Sequence, residues 1–273
     1  FKGDSVYDVE GDNDKLIYTG TDRLSITRFD ANNGIDEIDV NNRQIVADGE
    51  NNHLDFQNVS FTHDQQVIKA EGGDDFVRGG ESHEVIYGGD GADTLYGHGG
   101  LDVLHGGTGE DRLFGGEGND DLRGGANKDH LEGGAGADLL DGDDGDDFIR
   151  GGEGADVLRG ELGADRLYGD AGADELRGDA GIDQLFGGEG DDLLYGGQDD
   201  DFLRGEAGDD ILHGGTGADR LEGGAGNDTY LVGSGDSFYR DSIHDTEGDQ
   251  DKLIYSGGHE LKITQFASHN GID

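Results

Sequence analysis

From Asp75 to Asp228 every ninth residue is acidic, through eighteen consecutive positions of which seventeen are Asp and one, Glu84, is Glu. A short period held in phase from position 70 to position 231 leaves few folds open. One small supersecondary unit must be copied and stacked, each copy touching its neighbours. The unit reads G-G-x-G-x-D-x-U-x, with U a large apolar residue, as in Gly106-Gly107-Thr108-Gly109-Glu110-Asp111-Arg112-Leu113-Phe114. It opens with Gly at seventeen of eighteen positions, Ala70 being the exception. U is Val77, Ile86, then Leu at every step from 95 to 221 except Ile149, and finally Tyr230.

Gly at the first and fourth positions permits a tight turn with left-handed backbone angles and brings carbonyl oxygens together. The fourth Gly is replaced three times, by Ser82, Asn127 and Asp199, and Asn and Asp are the non-Gly residues best tolerated in that conformation. The triplet after each Asp is expected to point outward, inward, outward, as a very short strand with one buried side chain. Two repeats would then close a flattened coil, with coils about 4.8 Å apart. The fold class expected is all-β, a right-handed parallel β-roll (β-solenoid) of about nine 18-residue coils with β-rich flanking caps or linkers.

In such a roll, repeats two apart lie above one another, so Asp93 meets Asp111 and Asp102 meets Asp120. Carboxylates stacked this closely repel unless a cation separates them. Carboxylates with several backbone carbonyls make a hard, flexible, all-oxygen cage, which suits Ca²⁺ better than Mg²⁺. The candidate metal ligands are Asp75, Asp93, Asp102, Asp111, Asp120, Asp129, Asp138, Asp147, Asp156, Asp165, Asp174, Asp183, Asp192, Asp201, Asp210, Asp219 and Asp228, with carbonyls of the Gly-rich turns. Glu84, which shares its repeat with Ser82, marks the weakest site. Eighteen repeats give sixteen stacked pairs, an upper limit on bound calcium ions.

The charge balance bears on folding. With 64 acidic and 19 basic residues, a net charge of −45 and 31% apolar residues, a compact metal-free body should not hold together. Sixteen calcium ions would reduce the charge to about −13, so metal binding and folding are expected to be one event. The alternative is a solvated acidic low-complexity tract, but disorder does not require a Leu kept in phase.

Other function classes find little support. A chain this acidic is a poor partner for nucleic acid. No window approaches twenty apolar residues, so no membrane span is expected. The absence of Cys suits a chain that travels unfolded without crosslinking. Neither His83-Glu84 nor His259-Glu260 continues into H-E-x-x-H, no G-x-S-x-G elbow occurs, and the ten His are scattered, so no enzyme is expected.

Residues 70–231 resemble the parallel β-roll of RTX (repeats-in-toxin) proteins exported by type I secretion. The resemblance implies a bacterial protein that leaves the cell unfolded and folds in millimolar calcium, secreted or at the cell surface.

A longer repeat overlies the short one. Residues 1–36 align with 238–273 without a gap, at 21 of 36 identities. Asp14-Lys15-Leu16-Ile17-Tyr18 recurs as Asp251-Lys252-Leu253-Ile254-Tyr255. The expected organisation is a β-rich linker at 1–50, an N-terminal capping coil at 51–69, the roll at 70–231, and a cap with the start of the next unit at 232–273. In the capping coil Val59 and Ile68 continue the U register backwards from Val77. The chain then reads as a piece of a tandem array whose neighbouring units touch, with the rolls as calcium-stiffened spacers of a surface or adhesin-like protein. A toxin or secreted hydrolase carrying the roll as a folding aid is the alternative.

Three further features stay open at this level. Asp8, Glu10, Asp12 and Asp14, with their copies Asp245, Glu247, Asp249 and Asp251, read as a solvated acidic loop in preference to another calcium site. On the even-repeat face, Val85, Val103, Leu139, Val157, Leu193 and Ile211 form an outward aliphatic stripe, either a docking surface for a protein partner or plain β-branched strand preference. The ninth-position series Arg150, Tyr168, Phe186, Arg204 is expected to stack rung on rung in preference to lining a sugar track.

Overall fold

Alternation is the local rule that builds this chain. In the computed structural model each repeat forms a strand in which the residue after Asp faces outward, U faces inward and the ninth residue faces outward again. Most of these strands are six residues long, as in Val103–Thr108 and Arg112–Glu117, twice the length expected from the triplet. The first glycine of the next repeat takes the following inward place, and without a side chain it lets the extended backbone run on. The structure describes residues 44–47, 49–57, 65–232, 241–245 and 250–255, together with the backbone of Asp14–Ile17, Leu24–Ser25, Arg28–Asp30, Ile35–Asp39 and Ser60–Phe61. By its contacts the chain divides into two compact units, Phe1–Gly134 and Ala135–Asp273.

In the first unit two parallel sheets enclose the core. One runs Leu24–Ser25, Ile45–Val46, Gln65–Gly72, His83–Asp90, Val103–Thr108, Asp121–Ala126. The other runs Arg28–Asp30, His53–Asp55, Phe76–Arg78, Thr94–Gly99, Arg112–Glu117. Asp14–Ile17, Ile35–Asp39 and Ser60–Phe61 make a separate three-stranded parallel sheet. Within the nonapeptide series each strand pairs with the strand two repeats on, Ile86 lying over Leu104 and Leu95 over Leu113. The leading coil is longer than two repeats. Ile68 pairs with Ile45 and Val77 with Leu54, so Leu54 fills the place expected of Val59. Val59 itself lies outside the described residues, whereas Ile68 pairs with Ile86 as its register demands.

The second unit repeats the plan. One parallel sheet runs Leu139–Asp144, Val157–Leu162, Glu175–Ala180, Leu193–Gln198, Ile211–Thr216, Thr229–Val232, Lys252–Tyr255. The other runs Phe148–Glu153, Arg166–Ala171, Gln184–Glu189, Phe202–Ala207, Arg220–Ala225, Ser242–Ile243. Two strands beyond the nonapeptides therefore continue the stack, with Ile243 beside Leu221 and Leu253 beside Tyr230, each reached by a coil longer than two repeats. Each unit is thus an all-β parallel solenoid. Among the described residues no helix is long and apolar enough to cross a membrane.

The core is a file of U side chains. Val77, Ile86, every U-position Leu from Leu95 to Leu212, Ile149 and Tyr230 are fully buried, each adding roughly 1.5–3 kcal/mol of burial. Outside, the aromatic part of the ninth-position ladder forms, Tyr96 stacking on Phe114 at 4.7 Å and Tyr168 on Phe186 at 4.8 Å, while Arg150 pairs with Asp170 and Arg204 with Glu222. Arg177 lies over Tyr195 at 5.3 Å. In the aliphatic stripe Val85 lies over Val103, Leu139 over Val157 and Leu193 over Ile211, and the row is interrupted by Asp121 and Glu175. Its members are half-buried except Ile211, which is 38% exposed.

Candidate metal centre

The acidic register ends up inside the protein. All seventeen Asp of the series are at most 3% exposed, and Glu84 is fully buried. The turn before each Asp, together with the inward first glycine, holds the carboxylate at the edge of the core file. Its Oδ1 has a fixed task. The Asp93 amide donates to Asp111 Oδ1 at 2.8 Å, the Asp102 amide to Asp120 Oδ1 at 2.8 Å, and the Asp156 amide to Asp174 Oδ1 at 2.8 Å. The stacking of repeats two apart is therefore realised, and each carboxylate is pinned by the amide of the equivalent residue one coil earlier.

The second carboxylate oxygen is differently placed. In Asp93, Asp102, Asp111, Asp156, Asp165, Asp174, Asp183, Asp192, Asp201 and Asp210 the buried Oδ2 has no hydrogen-bond partner. A buried charge left so costs several kcal/mol in folded proteins, on the order of the penalty for desolvating an ion. These oxygens crowd one place. A Cβ on Gly88 would run into Asp93 Oδ2 and come within 2.7 Å of the Gly106 carbonyl oxygen. A Cβ on Gly151 would meet Asp156 Oδ2 and lie 2.9 Å from the Gly169 carbonyl. First glycines such as Gly88, Gly106, Gly151 and Gly187 thus keep open a cradle bordered by a carboxylate oxygen of their own repeat and a carbonyl oxygen of the next coil. That donor set, hard and all oxygen, fits Ca²⁺.

This geometry corrects the role expected of the first glycine. Left-handed angles occur at the second and fourth positions, as in Gly107 (φ 118°) and Gly109 (φ 129°), and not at the first. The first glycine is required by the space beside Oδ2, the fourth by its backbone. Asn127 (φ 83°) and Asp199 (φ 72°) hold the left-handed angle as expected, and Ser82 is absent from that conformation. Seven non-Gly residues, among them His98, Glu161 and Glu206, take it at the second position.

Burial raises the carboxyl groups. It pushes Asp93, Asp156, Asp165 and Asp192 up to about 7 and Asp102 and Asp201 up to about 8. The amide bonded to each carboxylate pulls the other way, and the carboxylates stacked on it add to the rise. The file is electrostatically unfavourable by itself, which a divalent cation would reverse.

Glu84 departs from the pattern. Its longer side chain reaches back so that Oε2 accepts from the Gly80 amide at 3.0 Å, while Oε1 stays buried without a partner. Burial raises it to about 7. Its own amide still donates to Asp102 Oδ1 at 2.7 Å.

Several participants are invisible to a strict period of nine. At the N-terminal side Asn52 takes the register position, its amide donating to Asp75 Oδ1 at 2.6 Å. At the C-terminal side Asp241 accepts from Asp219 at 3.0 Å and Asp251 from Asp228 at 3.1 Å. The signal was present as Asp241-Ser242-Ile243 and Asp251-Lys252-Leu253, which repeat the D-x-U tripeptide out of phase, and as Asn52-His53-Leu54, in which Asn stands for Asp. A second, exposed row comes from Asp-Asp doublets. Asp74 accepts from the Ala92 amide at 3.0 Å and Asp200 from the Ala218 amide at 2.8 Å.

A comparison with curated proteins returned no match. The family model of the RTX calcium-binding nonapeptide repeat (4 copies) matches in overlapping segments that together run from residue 67 to residue 239. Period, burial and oxygen-lined turns agree with that match, and the chain belongs to the family of RTX calcium-binding nonapeptide repeat proteins.

Proposed function

We propose that the Asp series from Asp75 to Asp228, with carbonyls of the glycine turns, holds a file of calcium ions whose binding drives folding of the roll. The observation that carries this reading is the recurring buried Oδ2 without a hydrogen-bond partner beside a carbonyl of the next coil. Bound calcium would supply positive charge where carboxylates converge, and the chain's own amides hold Oδ1 so that Oδ2 faces that place. Sixteen is the ceiling on such sites, and the Glu84 site is the weakest of them. We assign the module a structural task and no catalytic step.

In the wider protein the module serves as a calcium-stiffened spacer outside the cell, following unfolded export by type I secretion from a bacterium. Recurrence of residues 1–36 at 238–273 supports a tandem arrangement in which one roll leads into the next. The boundaries that go with it are 1–50, 51–69, 70–231 and 232–273. Amide hydrogen exchange tests the folding role. Residues 76–232 should exchange as an open chain in chelator and become protected together in millimolar calcium. Protection that develops piecemeal, or is already complete in chelator, would contradict it.

A further inference from the structure

The nonapeptides stop at Asp228, but the acidic file does not. The chain returns twice, and it places Asp245 and Asp251 beside Asp228, with one carboxylate oxygen from each lying within 4.8 Å of the others. Asp228 and Asp245 are buried and Asp251 is half-buried. This grouping breaks the two-repeat period that pairs Asp residues elsewhere.

Two observations distinguish the cluster from a solvated acidic loop. First, Asp228 is fully buried, its Oδ2 has no hydrogen-bond partner, and it faces the space beside Gly223 where a Cβ would clash. Second, the U position of this repeat is Tyr230, where the preceding repeats carry an aliphatic residue. Its hydroxyl accepts from the Gly223 amide at 2.8 Å and donates to Asp245 Oδ2 at 2.9 Å. Asp251 is held in turn by the Asp228 amide at 3.1 Å. Three carboxylates are thus oriented toward one another by dedicated donors, an arrangement that repulsion would scatter without a cation. Burial, with the charges of Asp210, Asp245 and Asp251, raises Asp228 to about 7.

We propose that Asp228, Asp245 and Asp251 form a terminal calcium site, additional to the repeat sites and sharing Asp228 with the last of them, that clamps the strand Lys252–Tyr255 onto Thr229–Val232. Three carboxylates and no neutral side-chain ligand favour a hard divalent cation. Tyr230 is a positioning residue that sets Asp245. The clamped strand carries the sequence Asp251-Lys252-Leu253-Ile254-Tyr255, which recurs from Asp14, so the site joins the end of a roll to the segment that opens the longer repeat. Asp245 and Asp251 are therefore read as ligands, reversing the preference for a solvated loop at those two positions, while Asp8, Glu10, Asp12, Glu247 and Asp249 lie outside the described residues. This inference rests on the calcium reading of the repeats.

Native mass spectrometry of the 273-residue chain counts bound calcium as integers. Asp251→Asn and, separately, Asp245→Asn are each expected to lower the saturated count by one. In each variant the amides of 252–255 should exchange at least tenfold faster at saturating calcium, while those of 157–207 are unchanged. Unchanged counts in both variants would overturn the proposal. Failure of the repeat sites reads differently, because the unsubstituted chain would then hold at most one calcium ion.

Discussion

The amide of Asp93 donates to Oδ1 of Asp111, one coil further along the chain, at 2.8 Å, and this bond recurs up the stack between equivalent Asp residues. It commits one oxygen of each carboxylate to the neighbouring coil and turns the other toward the glycine turn. On the proposed reading, amide and cation would divide the two oxygens of one side chain between them.

The raised carboxyl groups set the pH dependence of the metal-free chain. A carboxyl whose folded value lies above its unfolded value of about 4 binds more protons when folded, so stability falls as pH rises between the two values. With Asp93 raised to about 7 and Asp102 and Asp201 to about 8, the calcium-free roll should be least stable above pH 8 and gain stability toward pH 4. Circular dichroism in metal-free buffer should show β-structure increasing on acidification. A metal-free chain that is more β-rich at pH 9 than at pH 5 would refute this.

Protons and calcium compete for the same oxygens. Where acidification has folded the metal-free chain, calcium binding to that protonated roll should release protons, and the release should vanish by pH 9, where the metal-free chain is open and its carboxyls are already ionised. Calorimetry in buffers of different ionisation enthalpy reads the proton count directly. The calcium midpoint should rise as pH falls from 8 to 6, and a midpoint independent of pH would count against these carboxylates as ligands.

Gly151→Ala places a methyl group against Asp156 Oδ2 and the Gly169 carbonyl. The substitution should raise the calcium midpoint severalfold and lower cooperativity, because it obstructs a site at the middle of a stack. Glu161→Gly acts in the opposite sense. Glu161 holds φ 71°, a conformation that costs a side chain roughly 1–2 kcal/mol, partly offset by the greater chain entropy of Gly. A gain of about 0.5–1 kcal/mol in calcium-bound stability is expected, measured by urea unfolding.

Leu158 is fully buried in the core file and Val157 beside it is half-buried. Leu158→Ala should cost about 2–5 kcal/mol. Val157→Ser should cost less than half as much. Equal losses would mean that the outward row is packed as tightly as the core.

The amino-acid pattern carried the periodic part of this structure. Asp and Leu recur in phase because each repeat meets the same surroundings, so burial of Leu113 and stacking of Asp111 could be read from spacing. What escaped depends on backbone paths that composition does not encode. Gly106 reads like any turn glycine, and only the position of Asp111 Oδ2 shows that it answers a steric demand. Leu54 was missed and Asp251 was read as loop because their coils carry extra residues, which moves them out of phase while leaving them in register.

The most direct test of the central claim is a calcium titration of the metal-free chain at pH 8, followed by circular dichroism with magnesium as the control. A steep coil-to-β transition in calcium alone is expected, at about 10⁻⁴–10⁻³ M as for extracellular calcium modules. A chain already folded in chelator at that pH would show that the buried Asp file is tolerated without a cation, and would contradict the account.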